Sequence, residues 1–273
     1  MAGTTKQNKS WFFTAEIAVL ICIVCIWAFK PAMFDIDNIR AGVVEQVVKF
    51  DTDNVEAYWF LADHYEELFD YEKAAEAYKE IVRVTPNDFM AQQYLALSYD
   101  QSHQFEKAIT AYTQALRIEP NDVDTWVHVG GAYASNGQYE QAIESYKRAK
   151  ELSPDYAWVH LCLAFTYQDT ECYEEAIREW REVITLEPDI LGLHSMLGDA
   201  YRESGHYQKA VEAYQHVLKH DDQRATTHRK LGEAYVLLGD IESALEEWRV
   251  LKILDKGLAG ELLQIIENNS NSI

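Results

Sequence analysis

Between residues 55 and 258, apolar and polar positions recur with a period of 34 residues. Six units follow one another without insertion or deletion: 55–88, 89–122, 123–156, 157–190, 191–224 and 225–258. Each unit contains two stretches in which apolar residues fall at helical spacing, as expected for helices with one buried face. We therefore predict two amphipathic helices in every unit and an all-α fold.

Several positions of the unit hold one residue type throughout. The eleventh is always tyrosine: Tyr65, Tyr99, Tyr133, Tyr167, Tyr201 and Tyr235. The twentieth is always alanine: Ala74, Ala108, Ala142, Ala176, Ala210 and Ala244. The twenty-fourth is aromatic: Tyr78, Tyr112, Tyr146, Trp180, Tyr214 and Trp248. The eighth is small: Ala62, Ala96, Gly130, Ala164, Gly198 and Gly232. Small residues let two helices approach closely, and we expect the aromatic ring to fill the adjoining space.

Glycine and proline mark the ends of the predicted helices. Gly137, Gly205 and Gly239 share the fifteenth position, which predicts a left-handed helix end. Three units have another residue there, so we expect those turns to be strained or differently shaped: Phe69, His103 and Glu171. Proline is excluded from helix interiors, and four of the five prolines close a unit: Pro86, Pro120, Pro154 and Pro188.

This order of small, aromatic and turn residues resembles the tetratricopeptide repeat family, whose unit has 34 residues and two helices. The resemblance covers residues 55–258, about three quarters of the chain. It implies a right-handed superhelical solenoid of six helix-turn-helix units with a concave binding groove. Asp222 and Lys256 depart from the family pattern, because they stand where its closing proline is expected.

Both ends of the repeat array are predicted to carry capping helices, which cover the open faces of a stack. Residues 30–54 contain a linker and a helix from residue 36 onward, with Val44, Val47 and Val48 at packing positions. Residues 259–273 form a second capping helix and a frayed tail.

Residues 11–29 form an apolar run that follows a polar tail at 1–10. Nineteen helical residues span roughly 28 Å, about the thickness of the hydrocarbon core of a bilayer. Trp11 and Trp27 lie near its ends, where aromatic rings prefer to sit. We predict one transmembrane helix that anchors the chain as a single-pass protein of the bacterial inner membrane. A cleaved signal peptide is the alternative.

Two sequence signals disagree on which side of the membrane carries the repeats. Lys6 and Lys9 precede the apolar run, which favours an inside amino end and repeats on the extracytoplasmic side. Cys162 and Cys172, without a disulfide pattern, favour a reducing compartment instead.

Charge and motifs limit the chemistry that the chain can perform. Its net charge of −21 opposes nucleic-acid binding and favours a basic or amphipathic partner. No nucleophile–base set, phosphate loop or HExxH motif stands out. His160, His194 and His228 share the fourth position, but stacked helices lie roughly 8–10 Å apart, too far for one zinc ion. We predict a non-enzyme without cofactor, catalytic site or metal site.

The resemblance implies that positions such as two, five, nine, twelve and thirteen of each first helix line the groove. The predicted lining is Trp59, Asp63, Glu66, Leu97, Asp100, Val127, Gly131, Trp158, Leu161, Phe165, Asp199, Arg202 and Glu233. This lining is apolar in the middle and acidic toward both ends. Trp59 and Asp63 replace the Lys or Arg and the Asn that family members use to hold acidic tails, which argues against such a ligand. Glycine inside a helix costs about 1 kcal/mol relative to alanine, so Gly131 predicts a notch for a partner's side chain.

These features predict a membrane-anchored scaffold or assembly factor for protein–protein interaction. Its groove would bind a peptide or an amphipathic helix with apolar anchors and basic flanks. The alternative is a self-assembling coat or oligomer that organises other proteins on a membrane surface.

Overall fold

The computed structural model describes residues 36–270, and within this range all fourteen secondary-structure elements are α-helices. The predicted tail 1–10 and transmembrane helix 11–29 lie outside the described residues. In the described range, every helix is too short or too polar to cross a membrane.

The helices are numbered in chain order, and thirteen of them follow α1 with short connections. They are α1 (Ile36–Phe50), α2 (Val55–Glu67), α3 (Tyr71–Val84), α4 (Phe89–Gln101), α5 (Phe105–Ile118), α6 (Val123–Ser135), α7 (Tyr139–Leu152), α8 (Ala157–Asp169), α9 (Tyr173–Leu186), α10 (Leu191–Glu203), α11 (Tyr207–His220), α12 (Ala225–Leu238), α13 (Ile241–Leu254) and α14 (Lys256–Ser270).

Each predicted repeat contains two of these helices, in a constant register. The first helix begins at position one of the 34-residue unit and the second at position seventeen. Polar side chains start several helices by accepting backbone N–H groups that have no partner in the first turn. The Asp122 carboxylate accepts from the N–H of Thr125 at 2.8 Å, and Asn54 accepts from Ala57 at 3.0 Å. The prediction of two helices per unit is confirmed.

The chain divides into two compact units, one ending at Ser98 and the other starting at Tyr99. In the first unit, α1 packs on α2, and α2 packs on α3. The core of this unit includes Leu61, Tyr78 and Ile81, all buried. Helix α1 thus occupies the place of the predicted front capping helix, although it ends at Phe50.

In the second unit, each helix from α5 onward packs against the next one in the chain. First helices of successive repeats also touch, since α6 contacts α8 and α10 contacts α12. The last helix, α14, packs on both α12 and α13. Side chains on one side of a first helix therefore lie next to their equivalents in the following repeat.

Small residues and aromatic rings pack as the sequence predicts in repeats 3 and 5. A Cβ atom at Gly130 would lie 2.6 Å from the Tyr146 ring, and one at Gly198 would lie 2.5 Å from the Tyr214 ring. Real Cβ atoms do not approach carbon this closely, so both positions require glycine in this packing. The six alanines of position twenty have no exposed surface.

Repeat 6 departs from this scheme where it packs against α14. A Cβ atom at Gly232 would meet Leu262 of α14 at 2.5 Å, so Leu262 fills the space that we assigned to Trp248. The Trp248 ring is half-buried, and the Lys252 Nζ atom lies 3.8 Å from its centroid. Helix α14 begins at Lys256, three residues before the predicted start of the capping segment.

All six turns between the two helices of a repeat share one backbone conformation. The φ angles of Gly137, Gly205 and Gly239 are 73°, 80° and 79°. Phe69, His103 and Glu171 adopt 58°, 59° and 58° at the same position. The predicted left-handed helix ends are confirmed, and the turns without glycine keep the shape and carry the strain.

Candidate functional site

The predicted groove residues of the first unit lie on an aromatic base. The Trp59 ring meets the Tyr78 and Tyr94 rings edge-on, with centroids 5.4 and 5.9 Å away. Burial and the nearby Glu67 raise the pKa of Asp63. Burial also raises the pKa of Glu66, although a hydrogen bond from Tyr78 opposes this shift. Neither carboxylate forms an ion pair within residues 39–269. Leu97 is half-buried on α4.

In the second unit, three predicted groove residues on α8 form an apolar ridge. Trp158 and Phe165 are 52% and 42% exposed, which is high for aromatic side chains, and Leu161 is half-buried between them. The Phe165 ring packs edge-on against the buried Trp180 ring at 4.9 Å. An exposed ring that is held by a buried one is a preorganised contact surface. We call Trp158, Leu161 and Phe165 the α8 ridge.

The neighbouring first helices carry small residues where α8 carries large ones. Gly131 of α6 is equivalent to Phe165, and Gly192 of α10 is equivalent to Trp158. A Cβ atom at Gly192 would meet no atom within 4 Å, and one at Gly131 would meet only the Tyr146 hydroxyl group, at 3.7 Å. Open space therefore flanks the α8 ridge on the sides of both helices.

Val127 does not line the groove, contrary to the prediction. It is 6% exposed and belongs to the buried core around α7, α8 and α9. Longer side chains at the same position, such as Trp59 and Leu161, are only half-buried. The short valine side chain does not extend past its neighbours, so it contributes to packing.

Two acids that were predicted to make the groove acidic are already paired within the chain. Asp199 accepts a hydrogen bond from the Tyr214 hydroxyl at 2.7 Å and pairs with the Lys230 ammonium at 2.5 Å. Glu233 forms an ion pair with Arg229. This end of the groove is therefore much less acidic than its carboxylates suggest.

Arg202 is the predicted basic residue of this region. Its guanidinium group is half-buried, contacts the Tyr214 hydroxyl group and lies 3.4 Å from Glu203. Its Nε atom is buried without a hydrogen-bond partner in the described part of the chain. Arg202 thus belongs to the same internal network as Asp199.

Asp100 behaves differently from Asp199 and Glu233. Its carboxylate forms neither a hydrogen bond nor an ion pair with any residue between 39 and 269. Burial raises its pKa, while His128 and His103 act in the opposite direction. The neighbouring Tyr112 ring is fully buried, and its hydroxyl group has no hydrogen-bond partner among the described residues.

The histidines of position four have packing roles. The His160 ring lies between the Glu179 carboxylate and the Pro154 carbonyl, at 2.7 Å from each. His228 has the equivalent partners, Glu247 and Asp222, at 2.5 and 2.9 Å. Both pairs join a histidine to a glutamate 19 residues later, a spacing that could have been read from the sequence.

His194 lacks such a glutamate and stacks instead on His216, with centroids 4.0 Å apart. Burial lowers the pKa of His194, and the charges of His216 and His220 add to this effect. Across residues 36–270, no group of three or more His, Cys, Asp or Glu side chains is placed to hold a metal ion.

Arg229 and Lys230 were missed as partners of the groove acids. The Arg229–Glu233 pair has i, i+4 spacing on one helix, which is a recognisable signal. The Lys230–Asp199 pair joins residues 31 apart in neighbouring repeats, so only the packing of those repeats reveals it.

Family models agree with the repeat assignment. A model described as "TPR repeat" matches residues 96–137, 130–170 and 198–239, and one described as "Tetratricopeptide repeat" matches residues 55–88. Together these matches cover more than half of the chain. A comparison with curated protein sequences gives no match.

Solved structures with the same fold include two of MamA and one of YrrB. A MamA crystal structure has 21% identity and a TM-score of 0.58, over 63% of this chain and 94% of that chain. MamA 41-end from Desulfovibrio magneticus RS-1 has 21% identity and a TM-score of 0.57, over 62% and 96%. YrrB, described as a TPR protein with an unusual peptide-binding site, has 19% identity and a TM-score of 0.59, over 70% and 100%. These likenesses support the fold.

Proposed function

Because this chain belongs to the tetratricopeptide repeat proteins, we propose that it is a scaffold or assembly factor that binds another protein and performs no catalysis. The partner supplies a peptide or an amphipathic helix with apolar anchors. Residues 11–29 hold the complex at a membrane. Nucleic acid is not a ligand, because the net charge of −21 repels phosphate.

The α8 ridge is the observation that carries this proposal. Trp158 and Phe165 expose apolar surface that a soluble protein would ordinarily bury, on the helix set that lines grooves in this fold. Aromatic residues in the centre of an interface provide much of its binding energy. Phe165 is already ordered by Trp180, so binding costs little side-chain entropy.

The space beside the ridge suits a helix or an extended segment. Gly131 and Gly192 leave room on either side, so a partner's side chains can pack against both flanks of the ridge. In the first unit, Asp63 and Glu66 form no ion pair with the residues that the structure describes, which favours basic flanks on the partner. The acidic field of the whole chain would steer such a partner toward it.

Membrane anchoring rests on the apolar run 11–29 and its flanking lysines. We place the chain as a single-pass protein of the bacterial inner membrane, with the repeats on the extracytoplasmic side. Fusing an alkaline phosphatase or a green fluorescent reporter after residue 273 tests this topology. An active phosphatase is the expected result, and fluorescence with inactive phosphatase would reverse the orientation.

Affinity capture of the tagged full-length chain from detergent-solubilised native membranes tests the role of the ridge. Trp158→Ala and Phe165→Ala should each lower recovery of the partner at least tenfold, as measured by quantitative mass spectrometry. Ile253→Ala is the matched control, since it removes a large apolar side chain that is 87% exposed on α13. Unchanged recovery with both ridge variants would refute the groove proposal.

Self-assembly is a second candidate because the first unit also exposes large apolar side chains. Phe50 is 90% exposed, and Leu68 and Phe69 are exposed as well. A second copy of the chain could cover this surface. Light scattering of the detergent-solubilised full chain distinguishes the two roles. A mass that rises with concentration supports assembly, and a constant monomer mass rules it out.

A further inference from the structure

In repeats 1 to 5, the aromatic residues of position twenty-four bury their rings and direct their polar atoms to the first helices. In four repeats the polar atom has a partner. The Tyr214 hydroxyl donates to Asp199, and the Trp180 ring N–H donates to Gln168, both at 2.7 Å. The Tyr78 hydroxyl group faces the Glu66 carboxylate, and the Tyr146 hydroxyl group faces the Cys162 thiol group.

Tyr112 is the exception among these residues. Its ring has no exposed surface, yet its hydroxyl group makes no hydrogen bond in the described part of the chain. A buried hydroxyl without a partner costs about 1–3 kcal/mol, so the arrangement is unfavourable unless something completes it. Asp100 holds position twelve of its repeat, as Gln168 does, and Gln168 accepts the hydrogen bond from the Trp180 ring at 2.7 Å. The Asp100 carboxylate therefore lies on the side of the Tyr112 hydroxyl group.

Asp100 and Tyr112 are thus two neighbouring polar groups, one without a counter-ion and one without a hydrogen-bond partner among the described residues. Asp100 comes from α4 and Tyr112 from α5. The His128 ring of α6 stacks on the Tyr112 ring with an angle of 11° between their planes and a centroid distance of 5.8 Å. His103, in the turn after α4, donates its backbone N–H to the Asp100 carbonyl at 2.9 Å. The only strong anion among these groups is the Asp100 carboxylate.

Gly131 lies one helical turn after His128 on α6, so it shares a helix face with the ring that stacks on Tyr112. The Tyr146 hydroxyl group lies beside Gly131. A Cβ atom at Gly131 would lie 3.7 Å from that hydroxyl group, and any longer side chain would extend over it. We call Asp100, Tyr112, His128, Gly131 and Tyr146 the Gly131 notch.

We propose that the Gly131 notch binds the ammonium group of a lysine side chain supplied by the partner. Asp100 is the counter-ion, and the Tyr112 hydroxyl oxygen accepts a hydrogen bond from the ammonium group. The ammonium group completes the hydrogen bonding of Tyr112 and neutralises Asp100, whose carboxylate has no ion pair with any residue between 39 and 269. This inference rests on the proposed groove and specifies what lies beside its apolar anchors.

Lysine suits the notch better than arginine or an acidic group. An ammonium group is a compact charge with three donors on a flexible chain, so it can enter an opening the width of one missing side chain. A guanidinium group is a wide planar fork that pairs best with both oxygens of an accessible carboxylate. A carboxylate or phosphate would be repelled by Asp100.

Two matched peptides test the site on the full-length chain in detergent micelles. Both are amphipathic helices with leucine at positions i, i+3, i+4 and i+7, and they differ in one residue, lysine or the uncharged norleucine. Calorimetric titration should show at least tenfold tighter binding of the lysine peptide. Asp100→Asn should remove this preference, and Tyr112→Phe should reduce it about threefold. Asp155→Asn, an equal charge change at an exposed loop position, should keep it.

The outcomes distinguish failure of the Gly131 notch from failure of the groove proposal. An unchanged lysine preference in Asp100→Asn, or no preference in the unaltered chain, overturns the notch. If the norleucine peptide still binds and loses affinity with Phe165→Ala, the groove stands without the notch. If neither peptide binds, the lysine site fails, and membrane capture with the ridge variants judges the groove separately. A third peptide, with arginine in place of that lysine, should bind less tightly than the lysine peptide, and the opposite order overturns the lysine site. Thermal unfolding of each variant confirms that it is folded.

Discussion

Repeats 2 and 5 bury the same tyrosine and treat its hydroxyl group in opposite ways. Tyr112 and Tyr214 have no exposed surface, so both rings serve the core equally. In repeat 5, the hydroxyl group donates to Asp199, and Lys230 neutralises that carboxylate. In repeat 2, the hydroxyl group has no partner in the described residues, and Asp100 has no counter-ion there.

Comparison of the two tyrosines shows that the fold requires the packing of the ring but does not determine the hydrogen bonds of its hydroxyl group. Ring packing at position twenty-four depends on the spacing of helices, which the repeat dictates. The polar atom at the tip of the ring contacts whichever side chains the first helices provide. Closed networks such as that of Tyr214 stabilise the stack, and open ones such as that of Tyr112 are available to a partner.

The largest expected effect comes from Gly198, which makes room for the Tyr214 ring. Gly198→Ala should destabilise the protein by about 2–3 kcal/mol, because the ring must shift and lose its bond to Asp199. Gly192→Ala on the same helix, where a Cβ meets open space, is the control and should be neutral or stabilising. Urea unfolding followed by circular dichroism measures both. Equal effects would mean that the close packing at Gly198 is not required.

The two tyrosines themselves give the next test. Tyr214→Phe should destabilise by about 1.5 kcal/mol, because Asp199 loses a hydrogen bond from a buried donor. Tyr112→Phe should leave stability unchanged or raise it, since it removes a buried hydroxyl group that has no partner within residues 39–269. The same denaturation assay compares them. A loss of similar size in Tyr112→Phe would show that its hydroxyl group is bonded in solution.

The two repeats also differ in the residue at the left-handed turn, and we expect its effect on stability to be smaller. His103 adopts φ 59° in repeat 2, where Gly205 adopts 80° in repeat 5. His103→Gly should stabilise and Gly205→Ala should destabilise, each by about 1 kcal/mol, because only glycine occupies this region without strain. Thermal unfolding of the pair checks the signs. Destabilisation by His103→Gly would indicate that the imidazole contributes more than its backbone costs.

The smallest effect concerns Asp100 and depends on pH. Its folded pKa is raised by burial, so the charged form destabilises the fold at neutral pH and protonation relieves this penalty as pH falls through the raised pKa. Asp100→Asn should therefore be more stable than the unaltered chain at pH 7, with the difference shrinking toward pH 4. Urea titrations at both values provide the measurement. A difference that grows at low pH would contradict the raised pKa.

The helix pattern could be predicted from the sequence in detail. A period of 34 residues places all first helices at one register and all second helices at another, because each must present the same face to its neighbours. Gly137, Gly205 and Gly239 likewise identify their left-handed turns, since few other residues adopt that conformation. The exchange of Trp248 for Leu262 beside Gly232 could not be foreseen, because a terminal repeat has no periodic neighbour.

The candidate site could be predicted only in outline. Periodicity predicts which faces of the first helices lie outside the core, and Trp158 and Phe165 on α8 are exposed. It does not show how far a side chain extends, so Val127 was misplaced. Periodicity also does not predict ion pairs between repeats, such as that of Asp199 with Lys230, because the distance between two helices depends on their packing.

The proposed function depends on the α8 ridge as the surface that meets a partner. Site-specific incorporation of benzoylphenylalanine at position 165, followed by irradiation of native membranes, tests this most directly. The ridge predicts a crosslinked partner from position 165 and from position 158, and none from position 253. Crosslinking from position 253 with none from either ridge position would contradict the account.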